Sequence, residues 1–460
     1  MEHDFLTEIV GTQRVSTDPS TLNDHSHDWG TPDEHHVRPD VVVWPRSTEE
    51  VAAILSAAHD QSIPVTPYGS GTSTQGHAVP NEHGISLNLT QLDTVVDIRT
   101  NDFQVDVQAG VVGSDLNEAL SETGLFFPSL PASGDTATIG GMIANDASGM
   151  RTVMYDEVAD RVLRLQVVLP NGEIIETGTK AMKSSSGYNL TSLFTGSEGT
   201  LGIITEATLE LSPRPSNIYG GRLIFNSRGD ASEAVFDLIH SGIDIAKLEL
   251  VDSICAAMVN DYLDADLPDA PMLFIELHAD HGVDAQVDTV EKIAVQHDAQ
   301  AVDLSPSGDR MNDLWEIRSE IANALDPYNP DLTPIALGDV SVPISEFAPF
   351  IGTIEQLAEQ YDLLIPCFGH AGDGNVHYAI LARENDPEHQ QLCTEVDKQI
   401  ITTAIEIGGT ATGEHGIGAE KTEMVQEEFD TATIRLMHDI KDSVDPDHIL
   451  NPGTSLPSTE

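Results

Sequence analysis

Apolar positions recur along this chain with two different periods. Residues 41–44 form a short apolar run, and Ser47 with Glu50 three residues later makes a capping box, which predicts a helix burying Val51, Leu55 and Ala58. Residues 63–67 return as an apolar strand that runs into a glycine loop from Gly69 to Gly76. Ile85, Leu87 and Leu89 alternate with polar neighbours, as do Phe103, Val105 and Val107, and each set predicts a half-buried strand. Residues 114–121 read as a helix stopped near Gly124. Beyond Arg214-Pro215 the pattern changes: apolar strands at 222–225 and 272–277 alternate with acidic amphipathic helices such as 231–240. Two later strands, 363–368 and 376–381, flank a Gly/Asp turn. The pattern predicts an α+β chain with a domain boundary near residue 215.

Composition narrows the function classes. A length of 460 residues suits two or three domains at roughly 100 to 200 residues each, and 40% hydrophobic content is enough for a sizeable core. The 76 Asp plus Glu against 21 Lys plus Arg leave a formal charge of −55. Binding a polyanion requires basic residues that displace counterions, so no nucleic-acid partner is expected. Only seven of the basic residues are Lys, and none precedes position 180. Self-repulsion of this size is screened at molar salt, which points to a halophile's protein. Cys255, Cys367 and Cys393 make no C-x-x-C, so no disulfide framework is expected. The first 30 residues have neither a cationic start nor a long apolar run, and no stretch of 18 apolar residues occurs, which predicts a cytoplasmic location. His25, His27, His35 and His36 lie in a polar stretch and read as surface residues.

Four segments carry candidate chemistry. The loop Gly69-Ser70-Gly71-Thr72-Ser73-Thr74-Gln75-Gly76 lacks the Gly-Lys-Ser/Thr ending of a triphosphate loop and does not match G-x-G-x-x-G. What it offers is a strand followed by small residues whose backbone N–H groups can surround a pyrophosphate. A second run from Thr138 through Gly140, Gly141 and Ser148 to Gly149 again sets two glycines before a small-residue helix, and two such cradles suggest one long cofactor. A third, Lys183 to Leu190 and then Gly196 to Thr205, has small residues that would let a flat ring lie against the backbone. In the second half, His370-Ala371-Gly372-Asp373-Gly374-Asn375-Val376-His377 joins two strands, and Gly413-Glu414-His415-Gly416-Ile417-Gly418 follows later. Two His and one carboxylate make a facial set suited to Zn, Mn or Fe; a plain solvated turn with flanking His is the alternative.

In order and spacing, the first three runs resemble the FAD-binding domain of the vanillyl-alcohol-oxidase and para-cresol-methylhydroxylase (PCMH) superfamily. The resemblance implies a PCMH-type two-subdomain FAD-binding domain over residues 36–214, after an N-terminal extension at 1–35. By that likeness Gly69, Ser70, Gly71, Thr72 and Ser73 hold the pyrophosphate, Thr138, Gly140, Gly141 and Ser148 pack near the cofactor, and Gly202 and Ile203 meet it through backbone. Some members bond the flavin to a histidine in the first loop; Thr72 and Ser73 stand there, which implies non-covalent FAD. One departure is Asp156, where relatives have Gly after the Tyr equivalent to Tyr155.

The His-x-Gly-Asp-Gly-Asn-x-His and Gly-Glu-His-Gly-Ile-Gly motifs, with Leu450-Asn451-Pro452-Gly453, resemble the C-terminal domain of FAD-linked 2-hydroxyacid dehydrogenases. The resemblance implies an α+β substrate and metal domain with an antiparallel sheet over residues 215–455. Within the family the likeness is to the branch that oxidises D-lactate with a cytochrome acceptor, carried by residues 39–45, 339–345 and 413–418. It implies that His370, His377 and Glu414 bind a divalent metal and that His415 is the catalytic base. Trp315-Glu316-Ile317-Arg318 resembles the substrate-arginine segment, so Arg318 either pairs with the substrate carboxylate or makes a helix-surface ion pair. Members that take larger dicarboxylic acids carry a lysine where Leu337 stands, which implies a small 2-hydroxy acid anion. Partners implied are a quinone, cytochrome or electron-transfer flavoprotein, with a homodimer or an iron-sulfur partner subunit both left open. The expected location is cytoplasmic, free or peripheral to the inner membrane face. The alternatives are a glycolate oxidase flavoprotein subunit and a D-2-hydroxyglutarate dehydrogenase.

Overall fold

Ser47 accepts a hydrogen bond from the Glu50 N–H and starts the helix Thr48–His59 in the computed structural model, which describes residues 3–458. The reciprocal half of the capping box differs from expectation. The Glu50 carboxylate accepts from the Arg46 N–H at 2.7 Å and pairs with Arg14, tying the N-terminal segment to this helix. Val51, Ile54, Leu55 and Ala58 are buried as the helical spacing requires, together with Leu6 and Val10 from the helix Asp4–Val10.

The chain forms two units by contact. The first runs to Gly149, resumes at Asp156–Arg214 and takes the chain from Glu414 onward; the second is Met150–Tyr155 with Pro215–Gly413. The break at Arg214/Pro215 falls where the hydrophobic pattern changes, but two segments lie elsewhere than the sequence places them. Residues 1–35 read as an extension, yet Leu6 and Val10 belong to a core of the first unit. Residues from 414 on read with the second half, yet Ile449 accepts from the Val65 N–H at 2.7 Å and the Asn451 N–H returns to Val65 at 2.9 Å. Lys441, buried in the same tail, donates to Asp445 and to the carbonyls of Thr200 and Leu450. Long-range pairing of this kind leaves no local trace in the sequence.

In the first unit β1 (Val15–Ser16), β2 (Val41–Val43), β3 (Val65–Tyr68) and β4 (Ile85–Asn88) form a sheet in the order β1-β2-β4-β3, with β4 parallel to both neighbours. A central parallel strand is covered on both faces, which is why Ser86 and Asn88 are buried although alternation predicts them outside. A second, antiparallel sheet has β5 (Val95–Arg99), β6 (Gln104–Gln108), β8 (Val162–Val168), β9 (Ile174–Gly178) and β10 (Ile203–Glu210) in the order β5-β6-β10-β8-β9. The short β7 (Leu125–Phe126) pairs with β11 (Ser212–Pro213). Phe103 is not in a strand: it takes φ 56° at the turn before β6 and is 44% exposed.

The second unit is built on a seven-stranded antiparallel sheet. Its strands are β12 (Asn217–Ile224), β13 (Ile245–Val251), β14 (Met272–Ala279), β15 (Ala301–Pro306), β16 (Leu332–Ser341), β17 (Cys367–His370) and β18 (Asn375–Arg383), in the order β15-β12-β14-β13-β17-β18-β16. The expected strand at 363–368 begins later, at Cys367, with Leu364 making only an isolated bridge to Leu381. Cys255, Met258 and Val259 of the helix Ser253–Leu263, with Met311, Leu314 and Trp315 of Asp309–Ser319, pack on Val251, Met272, Phe274, Phe368, Ala379 and Leu381 of the sheet. Cys255, Cys367 and Cys393 are free thiols. Among the described residues no helix is long and apolar enough to cross a membrane.

Candidate active site

Strand alternation places a row of ionisable side chains on one buried face of the second unit's sheet. On β13, Lys247 and Glu249 are two residues apart and therefore point the same way. Register then sets Lys247 opposite Glu276 on β14, Glu249 opposite His370 on β17, and His377 on β18 opposite Asp339 on β16. All six are at most 6% exposed. Buried charges persist only where they are paired, and these are. The Glu249 carboxylate receives His370 Nδ1 at 2.8 Å and Arg318 Nε at 2.9 Å, with Arg318 Nη2 2.7 Å away. The Arg318 guanidinium also lies over the Phe368 ring, 5.0 Å from its centroid. Asp339 lies 3.5 Å from His377 Nδ1 and accepts from Asn375 Nδ2, Thr412 Oγ1 and the Gly413 N–H. The turn between β17 and β18 brings the imidazoles of His370 and His377 together, with ring centroids 5.1 Å apart and planes at 86°.

A neighbouring network occupies the same face. Tyr155 OH meets His278 Nδ1 at 2.7 Å, His278 Nε2 meets Glu276 at 2.8 Å, and Lys247 Nζ lies 3.2 Å from Glu276 and 4.0 Å from the Trp315 ring centroid. Burial pushes the Glu276 carboxyl up, but the His278 hydrogen bond and the Lys247 and Arg151 charges prevail and hold it at about 2. Burial brings the Lys247 ammonium down to about 8 against the pull of Glu276.

The first unit carries the glycine runs. After β3 the loop from Gly69 is half-buried, with Ser70 exposed. The Trp29 N–H donates to the Gly71 carbonyl, the Gly30 N–H to the Ser73 carbonyl and the Ser73 hydroxyl to Asp28 at 2.7 Å, so the residues read as an extension brace this loop. Thr138 caps the helix Ile139–Asn145 by accepting from the Gly141 N–H. Gly140 permits a close approach there: a Cβ on it would lie 2.6 Å from the Ala109 Cβ. Gly202 precedes β10, where Ile203 turns its side chain into a core of the unit and lies opposite Val168 of β8. The segment 180–190 is exposed, Tyr188 at 95%. Asp156 adopts φ 62°, so the turn keeps a left-handed conformation that Asp tolerates better than most residues.

Glu414 and His415 fall in the first unit. The Ser148 hydroxyl donates to the Glu414 carboxylate at 2.9 Å, and Asn145 Nδ2 to its carbonyl at 2.8 Å. Glu198 accepts from the N–H groups of Ile417 and Gly418 and pairs with His77 at 3.3 Å. Burial opposes both charges of that pair, yet each is favoured: His77 is raised and Glu198 lowered. Gly416, at φ 76°, is required between them, since a Cβ would lie 2.6 Å from His77 Nε2. Burial, then the charges of Asp146, Asp160 and Glu414, push the nearby Glu157 carboxyl up to about 7.

The family described as FAD linked oxidases, C-terminal domain, matches residues 215–454, and an FAD binding domain family matches residues 39–178. The mitochondrial D-lactate dehydrogenase [cytochrome] of Arabidopsis thaliana is 35% identical over 420 residues, covering 91% of this chain and 74% of that protein. The chain belongs to the FAD-linked oxidase family. This FAD-linked oxidase is also 35% identical over 451 residues to the glycolate oxidase subunit GlcD of Bacillus subtilis, covering 97% of this chain and 95% of that protein. Its fold matches p-cresol methylhydroxylase with a TM-score of 0.76 at 18% identity, covering 99% of this chain and 96% of the other. The matched C-terminal family extends past Gly413, where the second unit of this FAD-linked oxidase ends.

The residues present fit both groups that the family implies. For FAD, the loop after β3 is half-buried with Ser70 exposed, and Gly141 in the first turn of the next helix is exposed. For a metal, two imidazoles 5.1 Å apart each have a buried carboxylate on the Nδ1 side, the usual support of a metal-binding histidine. Glu249, Lys247, Glu276 and His278 share this buried face with the motif histidines although no motif marks them. The available signal was a pair of ionisable residues two apart inside an otherwise apolar strand, in 245–251 and again in 272–279.

Proposed function

We propose that this FAD-linked oxidase oxidises a small D-2-hydroxy acid, D-lactate to pyruvate first among them, and passes the electrons to a quinone, cytochrome or electron-transfer flavoprotein. The observation that carries the reading is the buried row Arg318–Glu249–His370 with His377 and Asp339, a metal-fitting face that also holds a guanidinium in a chain of formal charge −55. A substrate anion needs such a local site, because the rest of the molecule repels it.

Oxidation removes the hydroxyl proton and the Cα hydride, and the chain's residues divide that work. Arg318 presents a planar, permanently charged fork to the substrate carboxylate. His415 accepts the hydroxyl proton on an imidazole nitrogen. His370, His377 and Glu414 are the proposed ligands of a divalent metal, which when bound supplies a Lewis acid that favours loss of that proton. FAD, when bound by the glycine runs without a covalent link, supplies the acceptor for the hydride and its two electrons. Leu337 packs against the apolar cluster around Trp315 and Phe274, which suits a methyl group and gives a second carboxylate no partner there. The Bacillus subtilis relative supports glycolate as a second reading.

Anaerobic mixing of the flavoprotein with D-lactate, L-lactate, glycolate and D-2-hydroxyglutarate tests this. D-lactate should bleach the flavin fastest. Faster bleaching by glycolate would select the second reading, and no bleaching by any of the four would overturn both.

A further inference from the structure

We infer that Glu249 is a positioning residue that sets which nitrogen His370 presents to a metal and, through the same carboxylate, holds the Arg318 guanidinium. The inference rests on the reading above for the roles of His370 and Arg318, and adds a residue to which no role has been given. Glu249 sits in the middle of β13 with no exposed side-chain surface, and its carboxylate has two side-chain partners: His370 Nδ1 at 2.8 Å and Arg318 Nε at 2.9 Å. An imidazole whose Nδ1 donates to a carboxylate carries its proton there and leaves the Nε2 lone pair for a metal. The opposite strand enforces the arrangement, since register sets Glu249 directly across from His370.

A carboxylate is the one side-chain group that accepts hydrogen bonds on both arms. The amide of Glu249→Gln has one acceptor and one donor. If its oxygen faces Arg318, its NH2 faces His370 Nδ1 and drives the imidazole proton onto Nε2, blocking that nitrogen. If its oxygen faces His370, the NH2 opposes the guanidinium and Arg318 loses its anchor. Asp339 differs, because Asn375, Thr412 and Gly413 supply it with three donors at 2.8–3.0 Å and its chief task is to tie the turn together.

The test is metal affinity, read apart from turnover. Mn(II) is titrated by chelator competition into metal-stripped, FAD-loaded wild type, Glu249→Gln, His370→Ala and the double variant, with the rise in Tm at saturating metal as a second readout. Glu249→Gln should keep the flavin spectrum, bind Mn(II) about 10 to 100-fold more weakly and show a smaller metal-dependent rise in Tm. In the His370→Ala background the same change should cost no more than about twofold, because the route through His370 is gone. Should Glu249→Gln fail to fold, Glu249→Asp serves, since its shorter reach keeps the charge but satisfies only one partner; it too should weaken Mn(II). Unchanged Mn(II) affinity in the folded variant, or a full loss still seen on the His370→Ala background, overturns the inference while leaving the proposed function standing. Wild type that takes up no metal removes the inference together with the metal role proposed above.

Discussion

The Ser148 hydroxyl donates a 2.9 Å hydrogen bond to the carboxylate of Glu414, joining the second glycine run to the C-terminal motif inside one unit. By family resemblance Ser148 lies near the flavin, but its hydroxyl is directed at a proposed metal ligand. Ser148→Ala should therefore keep its FAD and weaken metal binding about tenfold, the worth of one hydrogen bond to a charged group. Loss of flavin with metal affinity intact would return Ser148 to the cofactor.

Glu414 and His415 are adjacent in sequence and should fail differently. Glu414→Gln removes a ligand charge and should lose metal. His415→Ala removes only the base: metal and FAD stay, while turnover falls by about 10² to 10⁴. Metal analysis and flavin absorbance on both proteins separate the roles, and a fully active His415→Ala would end the assignment of His415 as base.

Much of this was legible in the sequence because local chemistry carries it: the cap at Ser47, the glycine runs, and the His–Gly–Asp–Gly–Asn–His turn that brings two imidazoles together. What escaped depends on pairing between distant segments. Glu249 belongs to no motif, and its burial shows only once the helices Ser253–Leu263 and Asp309–Ser319 are seen to pack on that face of the sheet. Ile449 to Asn451 bond to β3 across nearly four hundred residues, which no periodicity reports. Phe103 continued an apolar alternation in sequence but serves as a turn residue with positive φ. Asp156 is the reverse case: the departure from Gly was visible, and the structure supplies its consequence, a left-handed turn residue without the glycine.

FAD should be dissociable. Thr72 and Ser73 stand where linked relatives place a histidine, and His77 past the loop is engaged with Glu198. Acid precipitation should release the yellow colour into the supernatant; colour retained in the pellet would mean a covalent bond and a different assignment of the loop.

Folding and activity should require salt. With seven Lys among 76 acids, most carboxylates rely on screening. Between roughly 0.1 and 2 M KCl the Debye length contracts from about 10 to about 2 Å, so Tm should climb across that range. A flat Tm would count against adaptation to high salt.

The Glu276 network makes a pH prediction of definite sign. Its carboxyl is held at about 2 in the folded chain against an ordinary value of 4.5. A depressed carboxylate contributes stability that is present above the unfolded value and is lost as pH falls toward the folded one. Each tenfold change in the protonation equilibrium is worth about 1.4 kcal/mol, so this buried group contributes on the order of 3 kcal/mol at neutral pH. Acidification also protonates many other carboxylates and relieves the general repulsion, but that change is common to wild type and variant and cancels in their difference. Glu276→Gln should therefore lower the urea midpoint clearly at pH 7, and by less at pH 3, both measured in the same high salt. An equal gap at the two pH values would show that Glu276 is not held as a charge-paired carboxylate beside His278 and Lys247.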